Sequence, residues 1–270
     1  MSQFNNAMDL FKRLQRTNCG DCHVPTCLAF AAAVFRGEKR IDECPYVDKK
    51  LIEQFNGEQP YRTTMEQEFD QGLEPLRKEL REVDFAASTD RLKATLSGDK
   101  LTIKVLGKDF TVDSQGTITS ACHIHYWIAI PLINYVIHCA GKPLSGNRVP
   151  FRELKGGGER SPLFGQRCEK PLKQVADNHT DLFADMIDIF NAKPAPKAFD
   201  SDIAVVLYPL PRIPMLICYW RPEDGMESQL NIFYDDSAAD NLPAQALYTL
   251  SAGLVIMFEK IAFTHTERLL

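Results

Sequence analysis

Apolar and polar residues change period several times along the chain, and each change marks an element. Phe4, Met8, Phe11 and Leu14 stand at helical spacing and predict a short amphipathic helix over residues 3–16. "TCLAFAAAVFRG" reads as a second helix, with Thr26 as its cap and Gly37 as its stop. A third runs from Asp48 to Phe55 and stops at Gly57. The stretch "NGEQPYRTT" (56–64) breaks the periodicity, which places one domain over 1–58 and another over 62–270. A longer helix, Thr64 to Val83, carries Met65, Phe69, Leu73, Leu76, Leu80 and Val83 on one stripe, with a bend at Pro75. The period then drops to two. "LKATL", "KLTIKVL", "FTVD" and "TITSA", separated by "SGD", "GKD" and "SQG", predict an antiparallel meander.

Residues 123–140 are apolar enough for a buried helix, and helices follow at 169–177 and 181–191. "IAVVLY" (203–208), "MLICYW" (215–220) and "QLNIFYD" (229–235) read as strands, and a long helix runs from Pro243 or Ala244 to Glu267. Strands, then helices, then strands, without βαβ alternation, predict an α+β fold. Its parts are a small helical domain and a larger domain with antiparallel sheet and packed helices.

Composition changes this picture little. The chain has 270 residues, 44% hydrophobic and 25% charged, which is ordinary for a globular protein able to bury a core. A net charge of -5 gives no global pull toward nucleic acid. The most apolar stretch, "YWIAIPLINYVIHCAG", is shorter than the roughly 20 residues a spanning helix needs, so no membrane span is expected. Residues 1–17 lack the apolar run of an export signal, so a cytoplasmic, reducing location is expected. In that setting clustered cysteines favour metal or redox chemistry over disulfides.

The chemistry concentrates in "NCGDCHVPTCLAFAAAVFRGEKRIDECP". Cys19, Cys22, Cys27 and Cys44 follow C-x2-C-x4-C-x16-C. Four thiolates bind zinc or an iron–sulfur cluster. Zinc sites usually come as two close pairs. Three close cysteines and one remote cysteine followed by Pro45 suit a cubane, in which one loop wraps three corners. Cys27 starts a helix whose dipole favours a thiolate.

This string resembles the four-cysteine iron–sulfur domain of the corrinoid iron–sulfur protein large subunit, and is similar to that of the Rnf electron-transport complex B subunit. The likeness covers roughly residues 10–50: the "TNCG" lead-in, the three spacings, "PTC", "AFA" and the closing "CP". It implies one 4Fe-4S cluster on Cys19, Cys22, Cys27 and Cys44, single-electron transfer at low potential, and a redox partner protein. His23 departs from the glycine common there, and reads as an exposed substitution, a donor to cluster sulfur or a tuner of potential. Residues 61–270 do not continue into the barrel and corrinoid domains of that relative. They resemble instead an uncharacterised family of anaerobic bacteria, on "HYW", "GKPLSGNRVPFRELKGGG", "F" before "GQR" and "FYDDSAADNLP". Its members are often fused to the iron–sulfur module.

Between Lys142 and Lys173 stand eight basic residues (Lys142, Arg148, Arg152, Lys155, Arg160, Arg167, Lys170, Lys173) against three acids (Glu153, Glu159, Glu169). Arg148, Arg152, Gly156, Gly157, Gly158 and Arg160 read either as a site for a phosphate- or carboxylate-bearing ligand or as a solvated basic turn. Asp177 and His179 of "DNHTDL" lack the glycine of a corrinoid-ligand motif and read as chance. His123 and His125 read as capping or core residues at a helix start. Tyr126, Trp127, Tyr219 and Trp220 are expected in the core. Cys122, Cys139, Cys168 and Cys218 are scattered and read as buried small apolar residues. Three functions remain: a low-potential electron carrier, a redox enzyme or reductase whose larger domain holds a corrinoid or other tetrapyrrole, and a protein whose cysteines hold structural zinc.

Overall fold

Thr26 and Asp48 set the helices of the N-terminal segment. The computed structural model describes residues 7–35, 39–58, 65–180, 189–195, 198–223 and 225–267. Contacts divide the chain into two units, residues 1–72 and 73–270. In the first, α1 (Ala7–Arg13) packs on α2 (Cys27–Phe35), and α3 (Lys49–Glu58) follows. Thr26 Oγ1 accepts from the Ala29 amide at 3.1 Å, and Asp48 accepts from the Lys50 amide at 3.1 Å, so both caps are side-chain oxygens on orphan N–H groups. Leu10, Leu14, Cys22, Phe30, Val34, Ile41, Leu51 and Phe55 form the core. The stop expected at Gly37 and the helix expected over 181–191 fall largely on residues outside those described.

α4 (Met65–Leu80) keeps Pro75 inside it and buries Leu73 and Leu80. Next comes α5 (Phe85–Leu92), a helix the sequence reading did not expect, which shortens the strand expected at "LKATL" (92–96) to its second half: Asp84 accepts from the amides of Ala86 and Ala87, and the helix turns off at Lys93 in the left-handed region. β1 (Thr95–Ser97), β2 (Lys100–Val105), β3 (Lys108–Asp113) and β4 (Ile118–Ser120) form the antiparallel meander in sequence order. Leu101, Ile103, Val105, Phe110 and Val112 face inward, matching the period-two pattern.

A second, five-stranded sheet has the order β5 (Arg148–Pro150), β9 (Gln229–Asp235), β8 (Ile213–Trp220), β7 (Ile203–Leu210), β6 (Lys193–Pro194), antiparallel throughout. The Leu106 amide bonds the Tyr208 carbonyl at 3.2 Å and joins the two sheets. The absence of parallel pairs in these sheets is the α+β class. α6 (Tyr126–His138) is buried along most of its length. The glycine- and arginine-rich stretch 141–167, read from the sequence as a loop, instead forms β5, two 3-10 turns, α7 (Ser161–Phe164) and the start of a π turn (Gly165–Glu169), while α8 (Lys170–Asn178) is the helix expected at 169–177. After the short α9 (Ala238–Asn241), α10 (Ala244–Glu267) lays Leu247, Leu250, Leu254 and Phe258 into the core. Residues 244–263 of α10 are long and apolar enough to cross a bilayer by length and composition, but half of that window is buried in the fold.

Long-range polar clasps lock these layers. Arg91 donates to the carbonyls of Val136 and Cys139, both at 2.7 Å, and so places a cation on the C-terminus of α6. Asn241 bonds both the amide and the carbonyl of Lys142. Asp235, fully buried, accepts from the amides of Ser145 and Gly146 and from Ser237 Oγ. Burial opposes the Asp235 charge. The hydrogen bonds from Ser237, Ser145 and Gly146 more than offset it and hold the carboxyl below the usual range.

Asp235→Asn turns an amide donor toward those N–H groups and is expected to destabilise the second unit by about 1–3 kcal/mol. The native carboxylate contributes fully above about pH 4, its unfolded value, and that part is lost as pH falls toward the lower folded value. Denaturant melts of both proteins between pH 3 and 7 check this: the gap must be widest at neutral pH and narrow in acid, and equal stability throughout contradicts it.

Candidate metal centre

The segment from Arg16 to His23 folds back on itself because four of its residues take left-handed backbone: Arg16 (φ 58°), Asn18 (52°), Gly20 (80°) and His23 (60°). That coiling brings Cys19 and Cys22 beside Cys27 at the start of α2. Cys44 arrives at the end of the 3-10 turn Ile41–Glu43, whose Arg40 amide is held by Glu43 at 2.8 Å. All four sulfurs line one pocket, walled by Leu14, Val24, Phe30 and Val47. Cys22 is buried, Cys27 and Cys44 are half-buried, and Cys19 is exposed.

Two contacts that the spacing does not announce close this pocket. Asn18 clasps Cys27 reciprocally: its side-chain oxygen accepts from the Cys27 amide at 2.8 Å, and its own amide donates to Cys27 Sγ at 3.3 Å. The "TNCG" lead-in carries that signal, since asparagine tolerates left-handed backbone and offers a short acceptor. Tyr46 Oη donates to Asp21 at 2.7 Å, tying the arm that bears Cys44 to the loop that bears Cys19 and Cys22. His23 is exposed, and its left-handed φ is the conformation in which glycine is unstrained, which explains why a glycine suits that place.

Burial pushes the Cys44 thiol up, and the nearby Cys22, Cys19 and Cys27 push it further in the same direction. Four thiolates this close repel one another, and a cationic inorganic core relieves both penalties. Among the described residues, no three His, Cys, Asp or Glu side chains gather tightly enough to hold a single ion. The four cysteines line one pocket, a backbone amide is already aimed at one sulfur, and a set of four thiolate donors fits an iron–sulfur core.

In the second unit, Arg152 is exposed beside Glu153 (3.8 Å), and Arg148 and Arg160 are half-buried. Gly156 takes a left-handed φ of 78°. A Cβ on Gly157 would lie 1.9 Å from the Phe151 carbonyl oxygen, so close backbone packing accounts for that glycine. Asp177 is engaged by Tyr219 Oη (2.8 Å) and Lys173 (3.1 Å). His123 and His125 correct their expected role. Both are exposed, and His125 occupies the cap position of α6 with no side-chain cap, its ring stacked on Trp127. Tyr126, 51% exposed, leaves the expected core, while Trp127 and Tyr219 are in it. Cys139, Cys168 and Cys218 are buried, and burial lifts Cys168 to about 12; Cys122 is exposed.

A family model for "Domain of unknown function (DUF3786)" matches residues 84–257. The chain belongs to the DUF3786 family. Ahead of the DUF3786 domain, a model described as "Putative Fe-S cluster" matches residues 14–46. The corrinoid/iron-sulfur protein large subunit of Moorella thermoacetica is 48% identical over 40 residues, 15% of this chain and 9% of that protein. The acetyl-CoA decarbonylase/synthase complex subunit gamma of Methanocaldococcus jannaschii is 24% identical over 195 residues, 70% of this chain and 37% of its own length. The same subunit of Methanothermobacter thermautotrophicus is 44% identical over 39 residues. The chain thus spans well under half the length of these relatives. No solved structure matches it. The chain therefore carries an iron–sulfur cluster domain in front of its DUF3786 domain.

Asn18→Ala removes the acceptor from the Cys27 amide and is expected to cost about 1 kcal/mol, as a lost helix cap does. His23→Gly relieves left-handed strain and is expected to stabilise by about 1 kcal/mol. Denaturation of the first unit, followed in the full chain, checks both; shifts of the opposite sign contradict the clasp and the strain.

Proposed function

We propose that Cys19, Cys22, Cys27 and Cys44 hold one 4Fe-4S cluster, and that the chain passes single electrons at low potential to a partner protein or to a cofactor held by the DUF3786 domain. The observation that carries this is the convergence of all four cysteines on one pocket, within the segment that the iron–sulfur cluster model matches. When bound, such a cluster supplies one-electron chemistry at a potential set by burial and by hydrogen bonds to sulfur. The chain's own residues do the rest. Leu14, Val24, Phe30 and Val47 exclude water from one side. The Asn18 amide donates to Cys27 Sγ, which stabilises the more reduced state. Cys19 is the exposed one of the four, and its side is where a partner would exchange the electron.

The domain division near residues 58–62, a cytoplasmic location and a redox partner protein belong to the same reading. The printed names of the relatives describe a corrinoid/iron-sulfur protein and subunits of a multi-protein complex, which supports a protein partner. The corrinoid reading rests on those names, and the stretch of 40 residues at 48% identity lies in the iron–sulfur segment.

Anaerobic protein titrated with dithionite is expected to take up one electron per chain, with a bleached visible band and a midpoint potential on the order of −400 mV. Cobalt counted on the same sample tests the corrinoid reading. A protein that takes up no electron over that range overturns the electron-transfer proposal.

A further inference from the structure

A groove of about 860 Å3 opens between the helical run from Leu163 to Gln174 and one face of α10, with Tyr126 at the start of α6 beside it. It lies wholly within the second unit and includes none of the residues Arg148, Arg152, Gly156, Gly157, Gly158 or Arg160. The local geometry builds it. The π turn Gly165–Glu169 shifts the helical register by one residue, a feature common at functional sites. Phe164, Cys168 and Leu172 thereby point into the core, while Leu163, Arg167 and Lys170 face the groove. Glu169, the acid between those two cations, turns inward and accepts from the Ile232 amide at 3.1 Å. Arg167 and Lys170 therefore have no ion-pair partner among the described residues, though Glu259 stands on the α10 side of the groove.

The floor is shaped by small residues. Ala252 and Gly253 face the groove, and a Cβ on Gly253 would lie 2.1 Å from the Trp127 ring, so the glycine is what lets Trp127 seat beneath. Tyr126, Leu163 and Ile256 leave 51%, 46% and 41% of their surface exposed around it. Tyr126, Tyr248, Leu163 and Ile256 give the groove aromatic and apolar patches, Gln166, Gln174 and Thr249 give it polar ones, and Arg167 and Lys170 put two cations without an ion-pair partner among the described residues at one side, in a volume within the usual range for small-molecule sites.

We infer that this groove binds a small organic anion with a flat aromatic body, its phosphate or carboxylate on Arg167 and Lys170 and its ring against Tyr126 and Tyr248. All of its residues lie in the second unit and none in the cysteine segment. Bidentate or paired cation contacts to an anion account for most of the selectivity such a site shows.

Equilibrium dialysis of the full chain, under argon, against flavin mononucleotide, riboflavin and 8-anilinonaphthalene-1-sulfonate tests this. The two anions are expected to bind saturably at one site per chain, with riboflavin at least about tenfold weaker than its phosphate. Arg167→Glu with Lys170→Glu, both exposed positions, is expected to weaken both anions by about tenfold or more and to leave riboflavin little changed. Gly158→Arg, at an exposed position in the same basic stretch but not among the groove's lining residues, serves as a charge control and must not weaken binding. Failure of both anions to bind saturably, or equal binding by the double variant, overturns the inference. Iron and sulfide measured on each sample keep this outcome separate from the fate of the cluster.

Discussion

Four thiolates resist being brought together, and the first unit is organised around overcoming that resistance. Burial and mutual repulsion both raise the Cys44 thiol, so the protein alone does not favour the charged set. The fold supplies geometry in advance of the charge compensation. Left-handed turns coil the loop, Asn18 fixes Cys27, and Tyr46 fastens the distant cysteine arm through Asp21. An inorganic core bound there would supply the compensating positive charge.

The second unit solves a different problem with the same kind of device. Its sheets and helices are joined by polar side chains that reach across 45 to 99 residues of sequence. Asn241 holds the chain at Lys142, Asp235 holds it at Ser145 and Gly146, and Arg91 terminates α6. "GKPLSGN" and "FYDDSAADN" are therefore two halves of one clasp, with β5 paired to β9 between them. Several of the chemically suggestive residues in that region serve structure: Asp177 receives Tyr219, and Gly157 makes room for the Phe151 carbonyl.

Local signals were legible in the sequence. Thr26 caps where its position before an alanine-rich run says it should, the meander alternates as written, and "QLNIFYD" spans β9 end to end. The α+β class followed from the order of those elements. What escaped was non-local or short. α5 has eight residues and one turn of real capping, so it was hidden beside a strand-like "LKATL". The basic stretch became strand and helix because β9, some eighty residues later, pairs with it. His125 and Tyr126 sit in an apolar run yet face outward, since an apolar run fixes neither which side of a helix start is covered nor by what. Spacing singles out the four cysteines that the fold brings to one pocket, while the Asn18 clasp depends on a backbone conformation that spacing does not encode.

The most direct measurement of the central claim is the metal and sulfide content of anaerobically purified chain beside four single Cys→Ser variants at 19, 22, 27 and 44. The account predicts about four irons and four sulfides per chain, no zinc, and a marked loss of both in each of the four variants. One zinc per chain without sulfide, or an intact cluster in any of the variants, would contradict it.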